Sequence, residues 1–311
     1  MPRRYSRIHE LDLPWRLYDA AILLLLASFV GACAWTRSWT GPFVLPVRFL
    51  SVAGFLTIFY GSFIEPRLLA VRRYAVGKGE RSIRIAFLSD LHVGPYKGAS
   101  WVRRLVDRTN GLKPDLVLLG GDFLYRDASD LPELAPLKRL EAPLGTYAIM
   151  GNHDEWKSGR ETRAWFEASG IPLLVNRSVS IDREGEKLLV SGVDDDWYGE
   201  ADLEAAFKDF TPDAPAVVML HNPELAPHAA ALLRGRTGAT VFFSGHTHGG
   251  QIRLPFLGSV ARLPHDMGRR FDRGRFTFEG FPLLLGAGTG ESGPRARLFC
   301  PPEIVLAELR F

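Results

Sequence analysis

Cysteine is nearly absent, with two residues in 311: Cys33 inside an apolar run and Cys300 far along the chain. Neither belongs to a CxxC pair, which argues against a disulfide framework and a thiolate metal site. This scarcity favours a reducing compartment. Excess charge is also missing. Lys and Arg total 38 against 35 Asp and Glu, a formal net charge of +3. That is too small to argue for nucleic acid, and no nucleic-acid partner is expected. There is no internal repeat and no low-complexity linker. With 46% hydrophobic and 23% charged residues, the composition is that of a folded protein. A chain of this length can bury a large core, or one domain plus an appendage.

Charge is scarcest in two early stretches. Residues 17–35 read LYDAAILLLLASFVGACAW and carry only Asp19. Residues 43–64 read FVLPVRFLSVAGFLTIFYGSFI and carry only Arg48, near Pro46. Each approaches the ~20 residues that cross a bilayer as a helix. A charge or a proline near the start of a span is tolerated there. The short connection 36–42 is turn-like, and Trp35 and Trp39 suit an interface. The alternative for the first run is a cleaved signal, given the AxA-like Ala32-Cys33-Ala34. A second long apolar run directly behind it weighs against that.

Arg3, Arg4, Arg7 and Arg16 precede the first run, and Arg67, Arg72, Arg73, Lys78, Arg81 and Arg84 follow the second. The connection holds only Arg37. Positive residues stay cytoplasmic, so both ends are expected on the cytoplasmic side of the inner membrane. The expected organisation is a membrane anchor over 1–66, a basic juxtamembrane linker over 67–82 and a globular domain over 83–311. Residues 66–84 hold six basic residues and one acid, Glu80, a local charge of +5. Such a collar suits anionic headgroups, although topology alone explains it.

Beyond the linker, apolar strands alternate with helical spacing. Strands are expected at 83–88, 116–119, 146–150, 188–190, 216–220, 240–243, 283–285 and 304–307. Helices are expected at 99–110, 160–169, 202–209 and 223–233. The alternation predicts an α/β fold. In such sheets, sites form outside the carboxyl ends of strands. What stands there is chemically uniform. After the first strand come Asp90 and His92, after the second GGD with Asp122, after the third GNHD with Asn152, His153 and Asp154. His221 follows the strand 216–220, and SGHTHGG with His246 and His248 follows 240–243. Singly, each reads as a turn or a hydrogen-bonded core residue. Five in order, all of metal-ligand type, favour a metal centre.

The series D-x-H, G-G-D, G-N-H-D, a lone His and G-H-T-H resembles the calcineurin-like metallophosphoesterase superfamily, over roughly residues 83–311. The extended GHTHGGQIRLP and the late RLFCPPE are similar to the bacterial membrane-associated branch, which includes UDP-2,3-diacylglucosamine hydrolase-like phosphoesterases. The resemblance implies a four-layer αββα sandwich around two mixed sheets. It implies two divalent cations, with Mn, Fe or Zn suiting imidazole and carboxylate donors. Asp90, His92 and His248 would hold the first, Asn152, His221 and His246 the second, and Asp122 would bridge them. His153 would face the phosphate or the leaving oxygen, with Asp154 orienting its ring. Such an ion pair acidifies a bridging water to hydroxide and clamps phosphoryl oxygens for in-line attack.

The implied activity is hydrolysis of a phosphodiester, pyrophosphate or phosphomonoester, on a phosphorylated or lipid-linked small molecule such as UDP-2,3-diacylglucosamine of lipid A biosynthesis. The competing expectation is a catalytically idle scaffold on the same fold that binds a protein partner at the membrane. It requires lost ligands, and none is lost here. Residues 257–276 contain Arg262, Arg269, Arg270, Arg273 and Arg275 among apolar residues. Arg262, Arg269 and Arg270 are candidate substrate contacts, because a guanidinium fork suits phosphate; a solvated surface loop is the alternative. Asp194, Asp195 and Asp196 read as a strand-to-loop turn near the site.

Overall fold

The computed structural model describes residues 14–183 and 185–311, so Arg3, Arg4 and Arg7 lie outside the described residues. Two helices come first, α1 (Trp15–Trp35) and α2 (Val44–Phe59), the latter prolonged by a π turn over Tyr60–Ile64. They pack together, with Gly54 against the Phe29 ring so closely that an added Cβ would stand 2.6 Å from it. Their outer surfaces stay apolar and exposed, including Leu23, Leu24, Phe49, Leu50 and Leu56. A helix apolar all round needs a non-aqueous neighbour. Both segments, Trp15–Ser38 and Val44–Arg67, are long and apolar enough to cross a membrane. Two charges inside these segments have partners. Arg48 donates to the Thr36 carbonyl at 2.5 Å, beyond the end of α1. Asp19 meets Arg295 at 3.3 Å, which ties α1 to the domain that follows.

In chain order the strands are β1 (Ala70–Gly77), β2 (Ser82–Leu88), β3 (Leu116–Leu119), β4 (Thr146–Ala148), β5 (Arg177–Arg183), β6 (Glu186–Gly192), β7 (Ala216–Leu220), β8 (Thr240–Ser244), β9 (Arg253–Leu254), β10 (Gly258–Ser259), β11 (Gly274–Phe278), β12 (Phe281–Leu285) and β13 (Glu303–Arg310). Interleaved helices are α3 (Ala99–Asn110), α4 (Asn152–Ser169), α5 (Leu203–Phe207) and α6 (Ala226–Leu232). One mixed sheet has the order β1-β13-β2-β3-β4 and the other β11-β12-β8-β7-β6-β5, while β9 and β10 form a small hairpin.

Alternation along each strand builds the layers. Ile83, Ile85 and Phe87 of β2 join Val217, Met219, Val241 and Phe243 in the core between the sheets. The Phe87 and Phe243 rings lie 5.4 Å apart. Ala86 and Leu88 turn the other way, onto Val102, Leu105 and Val106 of α3. Val218 and Phe242 face Ala226, Ala229 and Ala230 of α6 on the far side. Helices, sheet, sheet and helices therefore stack as the expected αββα sandwich. Each fully buried Leu, Ile or Phe contributes ~1.5–3 kcal/mol. Within each sheet β2, β3 and β4, and β7 and β8, run parallel, so their carboxyl ends share an edge.

Two regions differ from expectation. Residues 67–82, read as a basic linker, include β1, which pairs in parallel with β13 at the sheet's edge. Arg72 donates there to Glu303 at 2.9 Å. Charged side chains are common on edge strands, where they discourage further pairing. The α4 helix starts at Asn152 rather than 160, because the Asp154 carboxylate accepts from the Gly151 N–H at 3.1 Å and caps it. A break at Ser158 interrupts it.

Candidate metal centre

The site lies where the carboxyl ends of the two sheets meet. Each chemical residue sits one to four residues past a strand, where the backbone turns sharply. Asp90, His92, Asp122, His246 and His248 all have positive φ, between 41° and 71°. Non-glycine residues rarely occupy this region, and such strain costs ~1–3 kcal/mol per residue. Five of them clustered at one site is the pattern expected where function fixes the backbone. The flanking glycines are required by space. A Cβ at Gly151 would stand 2.2 Å from Asp122 Oδ1, and one at Gly245 would stand 2.4 Å from Asp90 Oδ2.

Two donor groups result. Asp90, His92, Asp122 and His248 each bring one ligand atom within 4.8 Å of the others, and so do Asp122, His221 and His246. All are buried, and Asp122 belongs to both groups. His92 Nε2 lies 3.5 Å and His221 Nε2 3.3 Å from Asp122 Oδ2. Asn152 Oδ1 joins the second group, 3.2 Å from His221 Nε2. The outward nitrogens are held by carbonyls: His92 Nδ1 by Leu124 at 3.2 Å, His221 Nδ1 by Gly120 at 2.8 Å and His246 Nε2 by Pro264 at 3.1 Å. Such contacts fix a ring so that its other nitrogen points inward, as metal-ligating histidines require.

The electrostatics fit cations. His92 Nε2 and His248 Nε2 face each other at 3.1 Å, so two protonated rings there would repel. Asp90 Oδ2 is buried with no hydrogen-bond partner. Burial lifts the Asp90 pKa, and the neighbouring Asp122 adds to that against an opposing pull from His221. Burial opposes ionisation of Asp122 as well, but His221 and His153 outweigh it and hold Asp122 well below the usual carboxylate range. Burial and His92 push His248 well below an ordinary imidazole, leaving it a neutral donor at pH 7. Converging carboxylate, amide and imidazole donors of this kind could hold Mn, Fe or Zn.

His153 and Asp154 lie beside the donors. The His153 ring meets His92 edge-on at 4.7 Å, and its backbone N–H donates to Asp122 Oδ1 at 2.9 Å. Asp154 does not orient that ring. Its carboxylate accepts from the backbone N–H groups of Phe123 at 2.8 Å, Leu124 at 3.3 Å and Gly151. It therefore locks the loop carrying Asp122 onto the start of α4. Burial and the Asp122 charge raise its pKa to about 7.

Above the donors opens a pocket of about 320 Å³, lined by Asp122, Asn152, His153, His246, His248 and Arg262 among others. A hollow of about 400 Å³ between α5 and α6 contains none of these residues. Of the expected arginines, Arg262 reaches the pocket, although it also pairs with Asp266 at 3.3 Å. Arg269 and Arg270 are exposed and outside the pocket lining, and Arg270 lies over the Phe271 ring. Arg273 donates to the Phe299 carbonyl and Arg275 to the Ala75 carbonyl, so sequence proximity did not carry the cluster into the site. Asp195 accepts from Trp197 and Tyr198 N–H groups, and the Trp197 ring packs edge-on against His246 at 4.7 Å. The acidic turn thus braces a ligand from outside. Sequence reasoning missed Tyr18, which brings α1 into the pocket wall, and Tyr125. No local motif marks either one.

Known proteins are similar to this chain in sequence. The putative metallophosphoesterase F40B5.2 of Caenorhabditis elegans is 30% identical over 82% of this chain and 55% of its own length. A transmembrane protein with metallophosphoesterase domain from Bos taurus is 34% identical over 55% of this chain and 41% of its own. The chain therefore spans about half the length of these two relatives. The UDP-2,3-diacylglucosamine pyrophosphatase LpxG of Chlamydia trachomatis is 27% identical over 81% of this chain and 92% of its own. Residues 83–250, more than half of the chain and the segment with all seven donors, match the calcineurin-like phosphoesterase model, and the chain belongs to that family.

Proposed function

We propose that this protein is a membrane-anchored phosphohydrolase that works with two divalent cations. The observation that carries this is the pair of buried donor groups sharing Asp122 at the floor of one pocket. Asp90, His92 and His248 would hold one cation, Asn152, His221 and His246 the other, and Asp122 both. When bound, the pair supplies charge that polarises phosphoryl oxygens and acidifies water for in-line attack. The chain's own residues do the rest. The neutral Asn152 adds no negative charge facing an anionic substrate. His153 holds or delivers a proton at the leaving oxygen. Asp154 keeps the Asp122 loop in register with α4, and Arg262 meets the substrate at the rim.

The bond cleaved is a phosphodiester, pyrophosphate or phosphomonoester. The apolar helices and the likeness to LpxG support a lipid-linked substrate of the UDP-2,3-diacylglucosamine kind. The charge pattern around the helices supports a cytoplasmic position for the domain, which begins with β1 rather than at residue 83. The test is turnover of a soluble aryl phosphodiester by the Mn²⁺-loaded full chain in detergent. Activity that Asp122→Asn removes is expected. Wild-type activity no higher than the variant's would end the proposal.

A further inference from the structure

The β9–β10 hairpin projects an apolar tip that nothing among the described residues covers. Phe256 is fully exposed, and Leu254, Leu257 and Val260 are exposed beside it. Phe256 also has a φ of 67°, a backbone state unusual for a bulky residue. Holding an aromatic ring outward in a strained turn is costly in water, and contiguous exposed apolar residues mark an interaction surface.

Its neighbours identify the partner. Ile252 bridges to Leu298, and the Arg253 N–H donates to the Leu298 carbonyl at 2.9 Å. On either side of Leu298, the Arg297 N–H donates to Gly61 of the π turn at 2.8 Å, and the Phe299 N–H donates to Glu65 at 3.0 Å. The hairpin base is thus two contacts from the end of the second candidate span. Phe299, also exposed, lies between them.

The segments on either side of the hairpin reach the pocket. Gly250 and Gln251 just before it, and Ala261, Arg262, Leu263 and Pro264 just after it, line the wall. Tyr18 of α1 lines the same pocket. Trp15, one turn earlier on α1, accepts from Tyr96 Oη through its carbonyl at 3.2 Å, and Asp19 pairs with Arg295. The pocket wall therefore includes a residue of a candidate membrane helix and the two segments that flank the apolar hairpin.

We propose that residues 253–260 form a second membrane contact, whose tip seats in the lipid interface beside α2 and turns the mouth of the metal pocket toward the bilayer. This rests on reading α1 and α2 as membrane spans. The ligand class it assigns is a phosphoryl headgroup whose acyl chains stay in the membrane. Exposed Phe and Leu side chains on a membrane-facing element bury at the headgroup–acyl boundary, the depth at which Phe256 would sit.

The test uses the full chain in phosphatidylcholine vesicles. Cys33 is replaced by serine, and an environment-sensitive NBD label is attached at Phe256→Cys or, in a second variant, at Leu257→Cys. A label at Lys208→Cys, exposed beside α5, is the reference. Emission at 256 and 257 should shift to the blue, and doxyl-labelled lipid should quench most of it while sparing 208. Quenching at both tip positions no greater than at 208 would overturn the proposal. The readout needs no turnover, so its failure is distinct from failure of the phosphohydrolase reading.

Discussion

The floor and the mouth of the pocket are built differently. At the floor, Asp90, His92, Asp122, Asn152, His221, His246 and His248 are buried, each just past a strand. At the mouth, Tyr18, Tyr125, Arg262 and Gly293 come from segments far apart in the chain, and Arg262 is exposed. The floor is set by two sheets whose ends converge. The mouth is set by where the N-terminal helix α1 and surface loops meet. Chemistry should therefore be intolerant of change at the floor, while the mouth should tune which substrate is accepted.

The largest effect should come from Asp122→Asn. Losing a carboxylate shared by both donor groups should cut turnover of a soluble aryl phosphodiester more than about a thousandfold. His153→Ala should follow, at about 10²–10⁴-fold in kcat, the range for a positioned proton donor. Its metal content by elemental analysis should equal the wild type's; lost metal would move His153 into the donor set. Asp154→Ala should act through stability, since three backbone N–H groups lose one buried acceptor. We expect a loss of about 3 kcal/mol, read by denaturant or thermal unfolding. Arg262→Ala should be the mildest. Its exposed pairing with Asp266 limits it to less than about a tenfold rise in KM with kcat kept. Arg270→Ala should change neither value. If Arg262→Ala matched His153→Ala in kcat, the division between floor and mouth would fail.

The same division marks what the sequence could reveal. Candidate donor positions were legible because each is local: an apolar run of four to six residues, then a short motif whose residue types have one shared chemistry. The boundaries of α3, β3 and β7 matched for the same reason, since apolar spacing over one element decides them. β1 was not legible, because Arg72 and Arg73 interrupt its apolar pattern and its partner β13 lies more than two hundred residues away. The family resemblance assigned Asp154 to the ring of its neighbour, His153. Its real partners, Phe123 and Leu124, belong to the loop after another strand. The arginines after the GHTH motif share a segment yet disperse in space, because each turn of that loop sends a side chain elsewhere. Tyr18 needs the docking of α1 against the domain, which only long-range contacts fix.

Titration of Mn²⁺ into the metal-free full chain, with bound ion and turnover of a soluble aryl phosphodiester followed together, bears on the shared role of Asp122 most directly. Two ions should bind per chain, and turnover should rise with the second. Full turnover with no ion or with one would contradict a centre in which Asp122 serves two.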